Sequence, residues 1–445
     1  MLEYHSTIMA SLFDCFFLLF SLIFFTISPS SAKTLPFRPN TIVIPVSKDK
    51  CTNQYTIQIS QRTPSTPVKL TVDLGGRFMW VNCEESYTSS TYKPAKCNST
   101  LCSLANSKVC TTEPTQCSSS PRPGCNNNST CTKFIQNRVV YIGTGGELGQ
   151  DTVSIQFYNK NNPGRIVSLA SFPFFCGITW LLDSLAEGVT GVAGFGRSSN
   201  ISLPAYLSDS MDLPKKFAIC LSSNYKNNGL IFFGNGPNYE PLTYTPLILN
   251  PVEDLITGGS ADYYIGVKSI RVDGKKIKFD ENLLSVVKDG SGGTMLSTVN
   301  PYTVLHTSIY KALLRDFTKK MELKFRSLVV PSVPVPFGAC YYSSGFGTIE
   351  EFLAIVPAID LELESADGKN VSWRFSGANS MVAVNSYTMC LAYIDGGSQP
   401  WAPIIIGGHQ LEDTVLQFDL DKSRLGFSSN LVYKNTTCSN FVDSM

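Results

Sequence analysis

At 445 residues the chain is longer than one ordinary hydrophobic core serves, so two lobes or domains are expected. Charged residues are 16% of the chain and the formal net charge is +1, which argues against nucleic acid as a partner and against long-range electrostatic steering. Aromatics at 11%, with 33 Gly and 25 Pro, favour many short strands joined by turns.

The first feature in chain order is LFDCFFLLFSLIFFTI (12–27), apolar apart from Asp14 and a few small polar groups, followed by SPSSAK. It is short for a membrane span and suits a signal peptide over residues 1–32, cleaved after about Ala32. No Lys or Arg precedes it, which keeps a signal anchor as the alternative. Residues 33–50 carry Pro36, Pro39 and Pro45 and read as an extended lead-in. Strand-like alternation follows in YTIQIS (55–60), VKLTVDL (68–74) and DTVSIQFY (151–158). Between them, residues 84–132 turn to Ser, Thr, Asn, Pro and Cys, a composition expected to bury no core and to form a disulfide-stapled surface insert. GLIFFGNGP (229–237) and LTYTPLILNP (242–251) are further strands. TSIYKALLRDFTKKM (307–321) is the clearest amphipathic helix, with Ile309, Leu313 and Phe317 recurring every fourth residue.

Of the 14 cysteines, Cys15 lies in the leader. The rest include no CxxC, and only His306 and His409 follow the leader, so the cysteines suit disulfides in an oxidising compartment rather than a metal site. The disulfide set is Cys83, Cys97, Cys102, Cys110, Cys117, Cys125, Cys131, Cys176, Cys220, Cys340, Cys390 and Cys438, with the pairing open, and Cys51 is the unpaired thiol. Asn-x-Ser/Thr sequons begin at Asn98, Asn127, Asn128, Asn200, Asn370 and Asn435. Together these describe a secreted, disulfide-bonded glycoprotein with no metal or cofactor.

An internal echo sets the organisation. In the first half a strand leads into VDLGGRFMW, and VTGVAGFG (189–196) later gives apolar residues and then Gly. In the second half GGTMLSTVN (292–300) is followed by PIIIGG (403–408). Two β-rich lobes of one design, residues 33–240 and 241–445, would face each other across a cleft.

These residues resemble the pepsin-like aspartic proteases over nearly all the chain after the leader. VDLGGRFMWVN matches the family's first catalytic loop at its Asp, first Gly and Trp-Val, and IIIGGHQLEDTVLQFDLDKSRLGFS (404–428) resembles its closing strand module. The implied fold is all-β: two β-barrel lobes around a central cleft, with short helices. Aspartic proteolysis needs two carboxylates sharing one proton, and such a pair splits its apparent pKa values. Asp73 stands at the first position, but Ser297 stands at the second. Leu74 removes a hydroxyl that cross-links the family's two loops, Gly76 removes one that supports the aspartate, and Val299 replaces a loop Gly. In VVYIGTGG (139–146), Ile142 occupies the flap position where the family carries Tyr, with Tyr141 one residue early. Asp73 and Ser297 are thus read as vestigial positions, with no catalytic residue and no enzyme activity.

VDLGGRFMWVNC, SSTYKPAKCNSTLCSLA, CNNNSTCT, PFGACYYS and the TTCSNF tail narrow the resemblance. They are similar to a plant group of extracellular dermal glycoproteins, xyloglucan-specific endoglucanase inhibitors, xylanase inhibitors and basic seven-S globulins. That resemblance implies a secreted apoplastic or cell-wall monomer that docks on microbial glycoside hydrolases and plugs their cleft. Alternatives are an apoplastic peptide-binding or receptor-like protein, a storage globulin, or a residual aspartic protease. In the inhibitor branch an Arg suited to pairing with hydrolase carboxylates precedes the IxIGG strand; here DGGSQPWAPIIIGG puts Trp401 in that register, near Gln399. Lys324 and Arg326, ahead of a Pro-rich loop, are further partner-binding candidates.

Overall fold

The computed structural model describes residues 41–111, 122–125, 129–159, 162–236, 241–252, 260–325, 328–344, 346–365 and 367–440. The leader, and with it the 12–27 run, lies outside the described residues. Among the described residues, no helix is long and apolar enough to cross a membrane.

An antiparallel sheet built from both halves underlies the molecule. Thr41–Lys48, Gly229–Gly234 and Lys216–Cys220 pair side by side from the first half. Val415–Asp419, Arg424–Phe427 and Thr243–Ile248 do so from the second. The halves join where Lys216–Cys220 pairs with Val415–Asp419. At that seam Phe217 opposes Phe418, their rings stacked with centroids 4.7 Å apart. Every residue of GLIFFG (Gly229–Gly234) is buried, which fits a continuous apolar run covered on both faces.

The sequence echo is one strand arrangement built twice. Thr66–Asp73 pairs in parallel with Gly191–Gly194, placing Gly194 opposite Asp73. Thr294–Leu296 pairs in parallel with Ile404–Ile406, and the Ser297 N–H then donates to Ile406 O at 2.9 Å. Gly194 is required by close approach: a Cβ there would lie 2.5 Å from Gly76 O, Phe78 N and Phe78 O. Over the first half, Thr130–Asn137 and Ile142–Asn159 form a hairpin whose turn ends at Tyr141, a non-glycine residue with φ of 56°. This hairpin is the flap of the pepsin-like arrangement.

The Cys-rich insert departs from expectation. Its helix Thr100–Leu104, capped by Ser99, buries Cys102. Ala95, Cys102, Ala105 and Cys131 pack with Trp80, Phe175, Leu181 and Ile201 as a satellite core. Polar composition hid this because disulfide sulfur supplies much of the apolar bulk. The disulfides are Cys83–Cys176, Cys97–Cys110, Cys102–Cys131, Cys220–Cys438 and Cys340–Cys390. Cys125 is also disulfide-bonded, Cys117 lies outside the described residues, and Cys51 is free and exposed. The sulfurs of Cys97, Cys110 and Cys131 lie within 4.8 Å of one another, but all are in disulfides and offer no thiolate to a metal.

The amphipathic helix runs Thr307–Phe325, beyond the expected Met321. Ile309, Leu313, Phe317 and Met321 are its buried stripe, while Leu323 in the added turn is exposed.

Candidate functional site

Asp73 ends its strand buried, at the bottom of the cleft between the halves. Its Oδ1 accepts the Gly75 N–H at 2.9 Å and lies 3.2 Å from Arg138 Nη1. The other end of that guanidinium, Nη2, lies 2.6 Å from Asp262 Oδ1 in the second half. The side chains of Arg138, Asp73 and Asp262 are only 11%, 3% and 6% exposed, so a buried acid–guanidinium–acid bridge spans the cleft.

The flap turn delivers Arg138 here because Asn137 beside it is fixed. Asn137 Nδ2 donates to Leu181 O at 2.9 Å and to Asp183 O at 2.8 Å, while its Oδ1 accepts the Val139 N–H at 2.9 Å. Trp80 Nε1 donates to Gln136 O at 3.1 Å and pins the same strand end. Gly75 leaves the space: a Cβ there would overlap Arg138 Nη1 and Asp262 Oδ1. Neither Gly75 nor Gly76 has a positive φ. Both are therefore close-approach glycines, and Gly76 sits where a Cβ would come within 2.9 Å of Gly194 Cα.

One cation serves two acids, so the buried cluster carries a net negative charge when all three are ionised. Burial pushes the Asp73 carboxyl above the usual carboxylate range; Arg138 opposes this and Asp262 adds to it. Burial alone would lower the Arg138 guanidinium, but Asp262 and then Asp73 override it and hold it above its usual value. Arg138 is thus a fixed cation, and Asp73 is tied to it.

Ser297 is engaged within its own loop. Its hydroxyl donates to Asn300 Oδ1 at 2.8 Å and accepts the amides of Val299 at 3.3 Å and Asn300 at 3.2 Å. Asn300 in turn meets the Tyr141 phenol of the flap. The hydroxyl cross-link between the loops, expected to be lost at Leu74, survives from the other side. Thr298 Oγ1 donates to Val72 O at 2.7 Å and accepts the Leu74 N–H at 3.2 Å.

A pocket of about 170 Å³ remains beside Arg138, with Phe78, Trp80, Phe134, Asp262 and Trp401 among its lining residues. That is below the ~300–1,000 Å³ of ordinary ligand pockets. Trp401 at its rim is 59% exposed, and its ring centroid lies 6.3 Å from that of Tyr141, which is 44% exposed. Gln399 is exposed on the same loop. Arg326 and the side chain of Lys324 lie outside the described residues. Among the sequon asparagines, Asn98, Asn200, Asn370 and Asn435 are exposed, whereas Asn127 and Asn128 lie outside the described residues.

Sequence reasoning missed Arg138, Asp262 and Thr298. The signal for the first was present: Arg138 is the only charged residue between Lys133 and Glu147, at the tip of an otherwise neutral flap.

Two parallel strand pairs ending at Asp73 and Ser297, with a flap above and a shared sheet below, define a bilobal pepsin-like protein. Family models described as xylanase inhibitor N-terminal and xylanase inhibitor C-terminal match residues 55–235 and 262–429. A relative named probable aspartic proteinase GIP2, from Nicotiana benthamiana, is 47% identical over 95% of this chain and 96% of its own. The solved structure of edgp superposes with a TM-score of 0.83 at 45% identity, covering 92% of this chain and 99% of that one. Basic 7S globulin from soybean superposes at 0.75 and 34% identity, covering 90% and 98%. The chain belongs to this xylanase-inhibitor and basic 7S globulin family of pepsin-like plant proteins.

Proposed function

We propose that this protein is a secreted, proteolytically inactive binder that inhibits cell-wall-degrading glycoside hydrolases of microbes, of the xyloglucan-specific endo-β-1,4-glucanase or xylanase type. The carrying observation is the occupied cleft: Asp73 is tied to Arg138, and the matching position in the second strand arrangement carries a serine, Ser297, rather than an acid. Without two acids sharing a proton there is no pair to activate water and protonate a peptide carbonyl. The outer surface offers instead an exposed aromatic pair, Trp401 and Tyr141. A retaining glycosidase holds its two carboxylates ~5–5.5 Å apart in a groove lined for sugars. Trp401 suits a sugar subsite by stacking and cannot neutralise those carboxylates, so this reading has Trp401 and Gln399 blocking a subsite beside the acids.

The test is purified, glycosylated protein titrated against secreted fungal and oomycete endoglucanases and xylanases, with co-elution measured in parallel. Stoichiometric inhibition of at least one enzyme is expected. No inhibition and no complex with any of them would overturn the reading. A storage globulin is the second reading, favoured by the 34% identity to soybean basic 7S globulin over nearly the whole chain. Vegetative secretion with hydrolase binding separates the two.

A further inference from the structure

We propose that Arg138 is a built-in occupant of the cleft, a guanidinium lock that holds the flap closed on both halves of the molecule. Three features carry this inference, which does not depend on any hydrolase being bound. First, the guanidinium uses its two ends on acids from different halves, Asp73 and Asp262, so the flap cannot lift without breaking both contacts. Second, the surroundings are shaped for it: position 75 admits no Cβ, and Asn137 fixes the adjoining backbone with three hydrogen bonds. Third, the neighbouring Tyr141 extends the closure, resting against Trp401 and meeting Asn300, whose Oδ1 is fixed by Ser297. Both former catalytic seats therefore lead to the flap, Asp73 through Arg138 and Ser297 through Asn300.

An extended peptide lying in the cleft would need the space between the flap and the two loops. Arg138 fills that space with a group that satisfies both buried carboxylates at once. The lock is a contact the protein makes to itself, and it makes Arg138 a positioning residue for Tyr141 and Trp401.

The two acids are unequal partners. Asp262 makes the shorter contact, 2.6 Å against 3.2 Å, and one guanidinium needs only one negative charge for neutrality. Losing Asp262 should therefore loosen the flap more than losing Asp73.

The experiment is hydrogen exchange and thermal melting on the full chain carrying Arg138→Ala, with Asp262→Asn and Asp73→Asn alongside. Amides of residues 130–147 should exchange at least about tenfold faster in Arg138→Ala, while those of Gly229–Gly234 stay slow. The hole left by Arg138→Ala matches a free guanidinium ion, so ~10 mM guanidinium chloride should raise its melting temperature saturably by mass action. The same concentration of urea, neutral and of similar shape, should not, and neither reagent should raise the melting temperature of the unmodified protein. The order of flap loosening should be Arg138→Ala, then Asp262→Asn, then Asp73→Asn. Should Arg138→Ala not fold, Arg138→Lys keeps the charge without the fork and should still show faster exchange confined to the flap. Unchanged flap exchange in these variants, or equal effects of guanidinium and urea, would overturn the lock. Because no arm uses a hydrolase, a failed inhibition assay leaves this result standing, and the converse holds.

Discussion

Placing an acid at position 297, Ser297→Asp, is expected to destabilise the protein without conferring proteolysis. Ser297 is buried, and its hydroxyl both donates to Asn300 Oδ1 and accepts two amides. An ionised carboxylate there could keep the accepting half of that set but not the donor that holds Asn300, whereas the protonated acid can keep both. It also adds a third acid to a region where Asp73 and Asp262 already share one cation, Arg138. The new group would therefore stay protonated. Holding a carboxyl neutral at pH 7, about three units above its unperturbed value, costs roughly 4 kcal/mol. A carboxyl raised in the folded state is harmless below its unfolded value near 4, and its cost accumulates as pH rises from there toward its folded value. Thermal melts of variant and parent should thus nearly coincide at about pH 3.5 and separate by several degrees at pH 7. In parallel, denatured globin incubated at acid pH should release no peptides, because Arg138 still holds Asp73. A melting gap independent of pH, or acid proteolysis by this single variant, would refute the reasoning.

Three further outcomes follow from the same geometry. Thr298→Val removes the hydroxyl that joins the loops and leaves the buried Leu74 N–H unpaired; calorimetry should show a loss of about 1–3 kcal/mol, while Thr298→Ser stays close to the parent. Asp73 has a raised carboxyl, so the stability it contributes is present below the ordinary carboxylate range and lost as pH rises through its folded value. Asp73→Asn lacks that titration, so its melting temperature relative to the parent should improve between pH 3.5 and 7; a decline would contradict the assignment. Trp401→Ala alters an exposed ring, so stability should change by less than about 0.5 kcal/mol. Binding to any inhibited hydrolase should nonetheless weaken at least about tenfold, measured by titration.

The fold was legible because its signals are local. Period-two runs, the apolar GLIFFG strand and the repeated pairing of a strand with an apolar-Gly strand are each contained in a short segment. Asp73 and Ser297 were legible for the same reason, since each sits in a recognisable loop. The bridge was not, because Arg138 and Asp262 are separated by 124 residues and only the closed flap brings them together. A residue's loss was also easier to read than its survival. Leu74 announced a missing hydroxyl, whereas nothing in the sequence marked Thr298, whose hydroxyl spans the halves. The insert misled for a third reason: hydrophobic patterning undercounts half-cystine, and Cys102 and Cys131 supply the centre of the satellite core.

Why Asp73 persists beside a serine has a physical answer in the charge balance. If its task were only to shape the turn, accepting the Gly75 N–H would be enough, and asparagine would accept it equally well. Only the contact with Arg138 uses its charge, and Asp262 alone could neutralise that guanidinium. Burial is the main reason Asp73 resists ionisation despite a cation at 3.2 Å, and the second acid, Asp262, adds to it. What Asp73 adds is a direction: it draws the Nη1 end of the guanidinium toward the first half while Asp262 holds Nη2 from the second. A planar fork held at both ends has one orientation, whereas a fork held at one end can swing. On the proposed lock, Asp73 thus contributes little net electrostatic stability and serves as the second, weaker anchor that fixes the guanidinium's orientation.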